Sequence, residues 1–348
     1  MAKAQLLGAA SGPAAGSAQF LAKQRRAKRR YAVLIGLLIA MAAVLIVLTL
    51  SYNNPAEFGT DPYWTVARKR AETLVVIGVV AWSHALATVA FQTVTTNRII
   101  TPSILGFESI YVLIQTSAIF LYGAAGLLAL RGVWQFTVQT AVMVALATAL
   151  FSWLLSSRFK NIHVLLLVGV VLGGGLRAIS TFMQRLLSPN DFDLLTARMF
   201  GNIANSETAY LPIAIPLALA AGIALWFHAR KLDVLSLGRE VSQNLGLTYK
   251  RELVYVLLLV SVLIATTTAL VGPMTFLGFL VATLTYSLVD QQQHRSVFPA
   301  AVLVGFVVLT LALFVMRHIF YAAGAVTIII ELIGGTVFLI VIMRNGKL

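Results

Sequence analysis

Few side chains in this 348-residue chain are placed to do chemistry, and their spacing decides which chemistry is open to them. His84, Glu108, Gln115, Arg177 and Glu331 interrupt long apolar runs. An ionisable group inside such a run is expensive to bury and often functional, so a proton or ion relay is one reading. They fall in different runs, however, with no repeated Asp/Glu/His chain, and a satisfied structural pair or a snorkelling group at a run's end fits each better. The five histidines, His84, His163, His228, His294 and His318, show no paired ligand spacing. Cysteine is absent, which excludes disulfides, thiolate metal sites and a Cys nucleophile. No Gly-x-x-x-x-Gly-Lys-Ser/Thr phosphate loop occurs. An integral-membrane enzyme would need a convergent acid/base or metal constellation, which these residues do not offer.

The elements carrying these residues are set by composition. Lys and Arg number 26 against 12 Asp and Glu, a net charge of +14, yet only 11% of residues are charged, 59% are hydrophobic and the mean hydropathy is +0.89. Soluble domains carry roughly a quarter charged residues, so a water-soluble enzyme is excluded for want of a surface. Glycine and proline, 25 and 9, show no period, which excludes collagen and low-complexity disorder. The charge excess is concentrated in Lys3, Lys23, Arg25, Arg26, Lys28, Arg29 and Arg30, with no acid before the apolar run Tyr31 to Leu50. A basic run alone suits nucleic acid; abutting this apolar run it reads as a membrane anchor, and nucleic acid is not an expected partner. The run is too long for a signal peptide and no small-residue cleavage site follows Ser51. Residues 1–30 are thus expected to be a disordered basic tail and residues 31–348 a transmembrane domain.

A helix crossing a hydrocarbon core of ~30 Å needs about 20 mostly apolar residues. Ten runs qualify: Tyr31 to Leu50, Thr73 to Thr93, Phe107 to Tyr122, Val133 to Leu155, His163 to Met183, Ala209 to Phe227, Leu253 to Leu270, Phe276 to Leu288, Val297 to Met316 and Thr327 to Met343. The third and eighth are short, so they tilt little or begin inside the protein. The expected fold is all-α, a polytopic membrane protein of about ten transmembrane helices. With the tail cytoplasmic, most basic residues lie in cytoplasmic connections, as the positive-inside rule requires. The external exceptions are Arg68, Lys69, Arg70, Arg131, Arg185, Arg198 and Arg317. Both termini are therefore read as cytoplasmic, and the external cluster at 68–70 calls for a reason of its own.

The longest cytoplasmic connection, His228 to Glu252, should hold a short helix. Leu235, Leu237, Val241, Leu245 and Leu247 recur near helical spacing, while Arg239, Glu240, Gln243 and Asn244 take the other side. Gly238 and Gly246 permit the turns that bound it. An interfacial helix lying on lipid is one reading; mixed charge favours a docking surface for a cytosolic partner. Two loops echo each other: Thr101-Pro-Ser-Ile-Leu-Gly-Phe107 and Gly272-Pro-Met-Thr-Phe-Leu-Gly-Phe279. Each pairs a helix-starting proline, Pro102 or Pro273, with a Gly-Phe about a turn later, at Gly106 and Gly278, as inverted repeats of spans two to five and seven to ten would produce; chance is the competing account. Gly173-Gly-Gly175 and Gly334-Gly335 would allow close helix crossings.

Asn97-Arg-Ile-Ile-Thr-Pro-Ser-Ile-Leu-Gly-Phe107, Leu235-Ser-Leu-Gly-Arg-Glu-Val-Ser-Gln-Asn-Leu-Gly-Leu247, Gly272-Pro-Met-Thr-Phe-Leu-Gly278, and His294-Arg295 with Pro299-Ala300 occur in an order and spacing that resembles the iron-chelate uptake permeases, the FecCD family. The resemblance covers nearly everything after the tail. It implies the type II ABC importer permease fold, in a bacterial cytoplasmic membrane: two permease subunits, alike or different, enclose one path, two cytosolic ATPases bind inside and consume ATP, and an extracytoplasmic substrate-binding protein docks outside. The permease itself would bind no cofactor or metal. Leu235, Leu237, Gly238, Arg239, Glu240, Val241, Leu245 and Gly246, within coupling segment 233–247, match the family's ATPase-coupling helix. Arg68, Arg70 and Arg317 match external arginines that pair with acids on the binding protein. Pro102, Gly106, Gly272, Pro273 and Gly278 match its gating or helix-start motifs. Ala282-Thr-Leu-Thr-Tyr-Ser287 and Tyr321-Ala-Ala-Gly-Ala325 replace the family's usual Pro-His-x-x-Arg and Glu-Leu-Pro stretches. Together with Tyr111-Val-Leu-Ile-Gln115 these look like the branch for catecholate and petrobactin-type ferric siderophores, with cobalamin or haem as the alternative cargo. An ion-coupled secondary transporter is a further alternative.

Overall fold

A computed structural model of the protein describes residues 13–129, 132–156, 162–199, 203, 206–321 and 326–345. Lys3, Arg131, Arg158, Lys160, Lys347 and residues 322–325 lie outside the described residues. The described chain is helical: α1 (Pro13–Ser51), α2 (Asp61–Val94), α3 (Phe107–Ala129), α4 (Val133–Ser156), α5 (Ile162–Gln184), α6 (Pro189–Met199), α7 (Leu211–Phe227), α8 (Ala229–Leu235), α9 (Arg239–Asn244), α10 (Tyr249–Val271), α11 (Leu277–Leu288), α12 (His294–His318) and α13 (Val326–Asn345).

Ten of these helices coincide with the ten apolar runs. Eight hold stretches long and apolar enough to cross a membrane, and the two shorter apolar helices, at 107–123 and 277–288, are those the sequence marks as short. The tail departs from expectation. α1 begins at Pro13, so residues 13–30 are not an irregular appendage but part of one helix continuous with the first span. Residues 18–30 are rich in Ala, Gln, Lys and Arg, all good helix formers, and an apolar helix already nucleated below them makes extension favourable.

α2, α10 and α12 are largely buried and form the centre of the bundle, whereas α1, α4, α5 and α13 leave most of their surface uncovered. α2 is buried on all sides from Val76 to Val94, apart from Gly78, Trp82 and Thr93, as its lack of a polar face requires. α1 instead buries a stripe, Leu38, Ala42, Leu45 and Thr49, at helical spacing, with Ala42 and Leu45 packing on Val307 of α12. Between α2 and α7, Trp82 donates its indole N–H to the Ala218 carbonyl at 3.0 Å, and its ring lies where a side chain at Gly222 would be. Only glycine lets these two helices close up there.

Candidate functional site

The 229–244 segment is two short helices, not one. α8 packs Leu232 and Leu235 into the core, and the chain then turns at Gly238, whose φ of 91° is open to glycine. α9 follows and ends before Gly246, at φ 86°, so the two glycines bound it as expected. Ser242 is its only buried residue, held by hydrogen bonds to the Val234 carbonyl (2.9 Å) and the Gly238 carbonyl (2.6 Å). Leu237, Val241 and Leu245 are 57%, 44% and 61% exposed, with Arg239 and Glu240 exposed beside them. Leu235 is a correction: at 1% exposed it belongs to the core and offers nothing to a partner, because it ends α8 on the face that packs inward.

The support beneath this surface is not legible in the sequence as a unit. His228, Lys231 and Glu252 meet where α8 and α10 approach, with Glu252 oxygens 2.7 Å from both His228 Nε2 and Lys231 Nζ. Burial pushes the His228 imidazole below its ordinary range, with Glu252 pulling the other way. Asp233 of α8 contacts His294 at the start of α12, and His294 reaches Thr93 of α2. Tyr31 Oη donates to the Ser296 carbonyl at 2.8 Å, which brings the start of the α1 apolar run to the same end of the bundle. The local signal was thin: single polar residues separated by tens of positions.

At the opposite end the three arginines part company. Arg68 is exposed, its side chain 84% accessible and 3.7 Å from Glu72 one turn on. Arg317 is half-buried on α12, near Arg70 and His318. Arg70 is the second correction: it is 3% exposed, and its guanidinium donates to the carbonyls of Thr49, Leu50, Tyr52 and Asn53 at 2.8–3.3 Å. It closes the C-terminus of α1, where carbonyls lack helical partners and the dipole favours a cation. A guanidinium occupied in this way is not free to meet another protein. Phe58 and Trp64 are exposed next to this clamp, stacked edge-on against Tyr63.

Between the ends, Glu108, the residue after the first echoing loop, meets the second loop. Glu108, in the first turn of α3, accepts the Met274 N–H at 3.0 Å and the Thr275 hydroxyl at 2.6 Å, while Glu331 of α13 takes the Phe276 N–H at 3.5 Å. Both carboxylates therefore face the start of α11, where free N–H groups and the helix dipole favour negative charge. The glycines make this convergence possible. Gly106 (φ 103°) lies with its Cα against Gly173 of α5, Gly334 lies against Phe276, and a side chain at Gly278 would collide with the Thr88 hydroxyl. Gly272, at φ 87°, terminates α10; Pro102 is buried and Pro273 half-buried in the loops themselves. Gln115 pairs with Gln139 across α3 and α4 at 2.9 Å. Gly174 and Gly175 meet nothing within 4 Å, so only Gly173 of that triplet serves a crossing inside the chain. His84 is buried in α2.

The FecCD transport family matches residues 54–344. The chain belongs to the FecCD transport family. As a FecCD protein it is 42% identical to a petrobactin import system permease protein, FatC, of Bacillus anthracis, over 94% of this chain and 92% of that one. It is 34% identical to the petrobactin import system permease protein YclO of Bacillus subtilis (strain 168), over 90% and 98% respectively. The FecCD fold is matched by a solved metal-chelate type ABC transporter in an inward-facing conformation, with a TM-score of 0.75, 22% identity, and 90% of this chain and 99% of that chain covered.

Proposed function

We propose that the chain is the permease subunit of an ATP-binding cassette importer that carries ferric siderophores, of the petrobactin type, across the bacterial cytoplasmic membrane. The family membership and the two relatives named for petrobactin import support the transport class and the cargo. The observation that carries the reading is the 237–245 segment around α9, where Leu237, Val241 and Leu245 are uncovered. Uncovered leucines at a bundle's water-facing end mark a protein interface, and here the occupant is the ATPase. The α8–α9 end also gathers the exposed arginines of early α1, Arg98, Arg230, Arg239, Arg251 and Arg295, which supports assigning it, with both termini, to the cytoplasm.

Leu237, Arg239, Glu240, Val241 and Leu245 then form the ATPase-facing surface, with Gly238 and Gly246 setting its shape. Arg68 and Arg317 form the charged part of the rim offered to the binding protein outside. A second permease, identical or paralogous, completes the path, and the loops at Pro102–Gly106 and Gly272–Gly278 act as its movable middle. The permease contributes no ATPase chemistry of its own. The test is co-expression with the ATPase, second permease and binding protein, followed by reconstitution in proteoliposomes. ATP-dependent uptake of ferric petrobactin is expected; uptake by this chain alone under an ion gradient would overturn the proposal.

A further inference from the structure

One imidazole at the α8–α9 end joins three helices. Asp233 Oδ1 accepts two hydrogen bonds from a single residue, the backbone N–H of His294 at 2.9 Å and its ring Nδ1 at 2.6 Å. The first of these is a helix cap. His294 opens α12, the flanking Gln293 gives no side-chain cap, and Asp233 fills that role from 61 residues earlier in the chain. Its carboxylate also lies at the positive end of the α12 dipole. The other ring nitrogen, Nε2, is 2.6 Å from Thr93 Oγ1, one residue before the end of α2. The ring is buried and meets Phe298 edge-on at 5.5 Å.

The consequence concerns motion. α8 and α9 are joined by the main chain to α7 and α10 only, so a push on α9 reaches those two helices directly. α2 and α12, in the middle of the bundle, have no such continuity with it. Apolar contacts, such as those of Leu232 and Leu235, resist separation but let surfaces slide; hydrogen bonds are directional and hold register. A polar cavity of about 500 Å³, lined in part by Gln92, Arg98, Tyr286 and Asp290, borders the joint, so the groups around it have room to shift without overlap.

Resting on the importer reading above, we propose that His294 is a positioning residue of the transport cycle, and that the Asp233–His294–Thr93 connection carries displacement of α8–α9 into α12 and α2. Without it the ATPase would still dock and hydrolyse, but the middle of the bundle would not follow.

The test uses the assembled transporter in proteoliposomes with binding protein and ferric petrobactin, reading ATP hydrolysis and uptake together. Asp233→Asn, Thr93→Val and His294→Phe are expected to leave co-purification of the ATPase unchanged and hydrolysis undiminished. Uptake per ATP should fall about tenfold for the His294 and Asp233 variants and less for Thr93→Val. Asp233→Asn combined with His294→Phe should be no worse than the stronger single change, since both break one connection. His294→Asn, whose amide can replace the Nδ1 donor, should recover part of the ratio. An unchanged ratio throughout would overturn the inference. So would uptake falling only in step with thermal stability or ATPase retention, which is what a purely structural contact predicts. A wild-type complex with no ATP-driven uptake would instead remove the importer reading, and this inference with it.

Discussion

At the α8–α9 end the uncovered side chains include the apolar Leu237, Val241 and Leu245, while the ionisable groups beneath them pair off, His228 with Glu252 and Asp233 with His294. At the opposite end the uncovered groups include the charge of Arg68 as well as the apolar Phe58, Trp64, Ile319 and Phe320, and the arginine turned inward, Arg70, closes the last turn of α1. Both ends place a contact surface on an internally bonded support, yet the surfaces differ in what water does to them. Leucines left in water favour constant cover, as in the apolar interfaces of lasting complexes. A charged rim is comfortable in water between encounters and gains most during approach, which suits a partner that arrives, unloads and leaves. The leucines of the first surface thus suit a lasting occupant, and the charge of Arg68 in the second suits a transient one.

The comparison breaks most readily at α9. Replacing Leu237, Val241 and Leu245 together by Asp should abolish ATPase co-purification and uptake with no change in helical content or melting temperature, because all three are exposed; retained ATPase would place the partner elsewhere. Next in size is Arg70→Met, expected to lower stability by at least about 3 kcal/mol, since up to four carbonyls lose a charged donor in a buried setting. Denaturation in detergent measures this, and a loss confined to binding-protein affinity would restore Arg70 to the docking surface. Arg68→Glu with Arg317→Glu should weaken binding-protein affinity roughly five- to tenfold and flatten its salt dependence, with stability unaffected. Identical affinity at low and high salt in both proteins would remove charge from the account of this rim. Smallest is Glu72→Ala, which frees Arg68 from its one-turn partner. Stability should move by no more than about 0.5 kcal/mol, and binding-protein association should speed up slightly in stopped-flow measurements at low salt.

Much of the architecture was legible in residue order. Ten apolar helices follow from ten apolar runs, eight of them long enough to cross, and the bounds of α9 follow from Gly238 and Gly246. The errors fell on single residues inside correctly placed elements. Leu235 and Leu237 are both apolar and two apart, as Arg68 and Arg70 are both basic and two apart. Arg68 and Arg70 on α2 point about 200° away from each other, and Leu235 ends α8 while Leu237 lies in the turn after it, so composition cannot say which faces in. The basic tail differs in kind: its charge density suggests disorder, but Lys, Arg, Gln and Ala all favour helix, and residues 13–30 continue α1. His294 carried too little local signal to be paired with Asp233 or Thr93, and Glu108 likewise with Thr275.

By itself, the amino-acid order determined the membrane class, the ten apolar helices, the shortness of the third and eighth of them and the turns at Gly238 and Gly246. These depend on composition, period and backbone freedom within a score of residues. Tertiary structure alone decided that Arg70 closes α1, that Leu235 is core, that Glu108 and Glu331 meet the start of α11, and that His294 joins α8, α12 and α2. Each of these depends on which helices become neighbours. That choice is made by the packing of the whole bundle, in which a buried polar group settles against whatever donor or acceptor the neighbouring helix brings within reach.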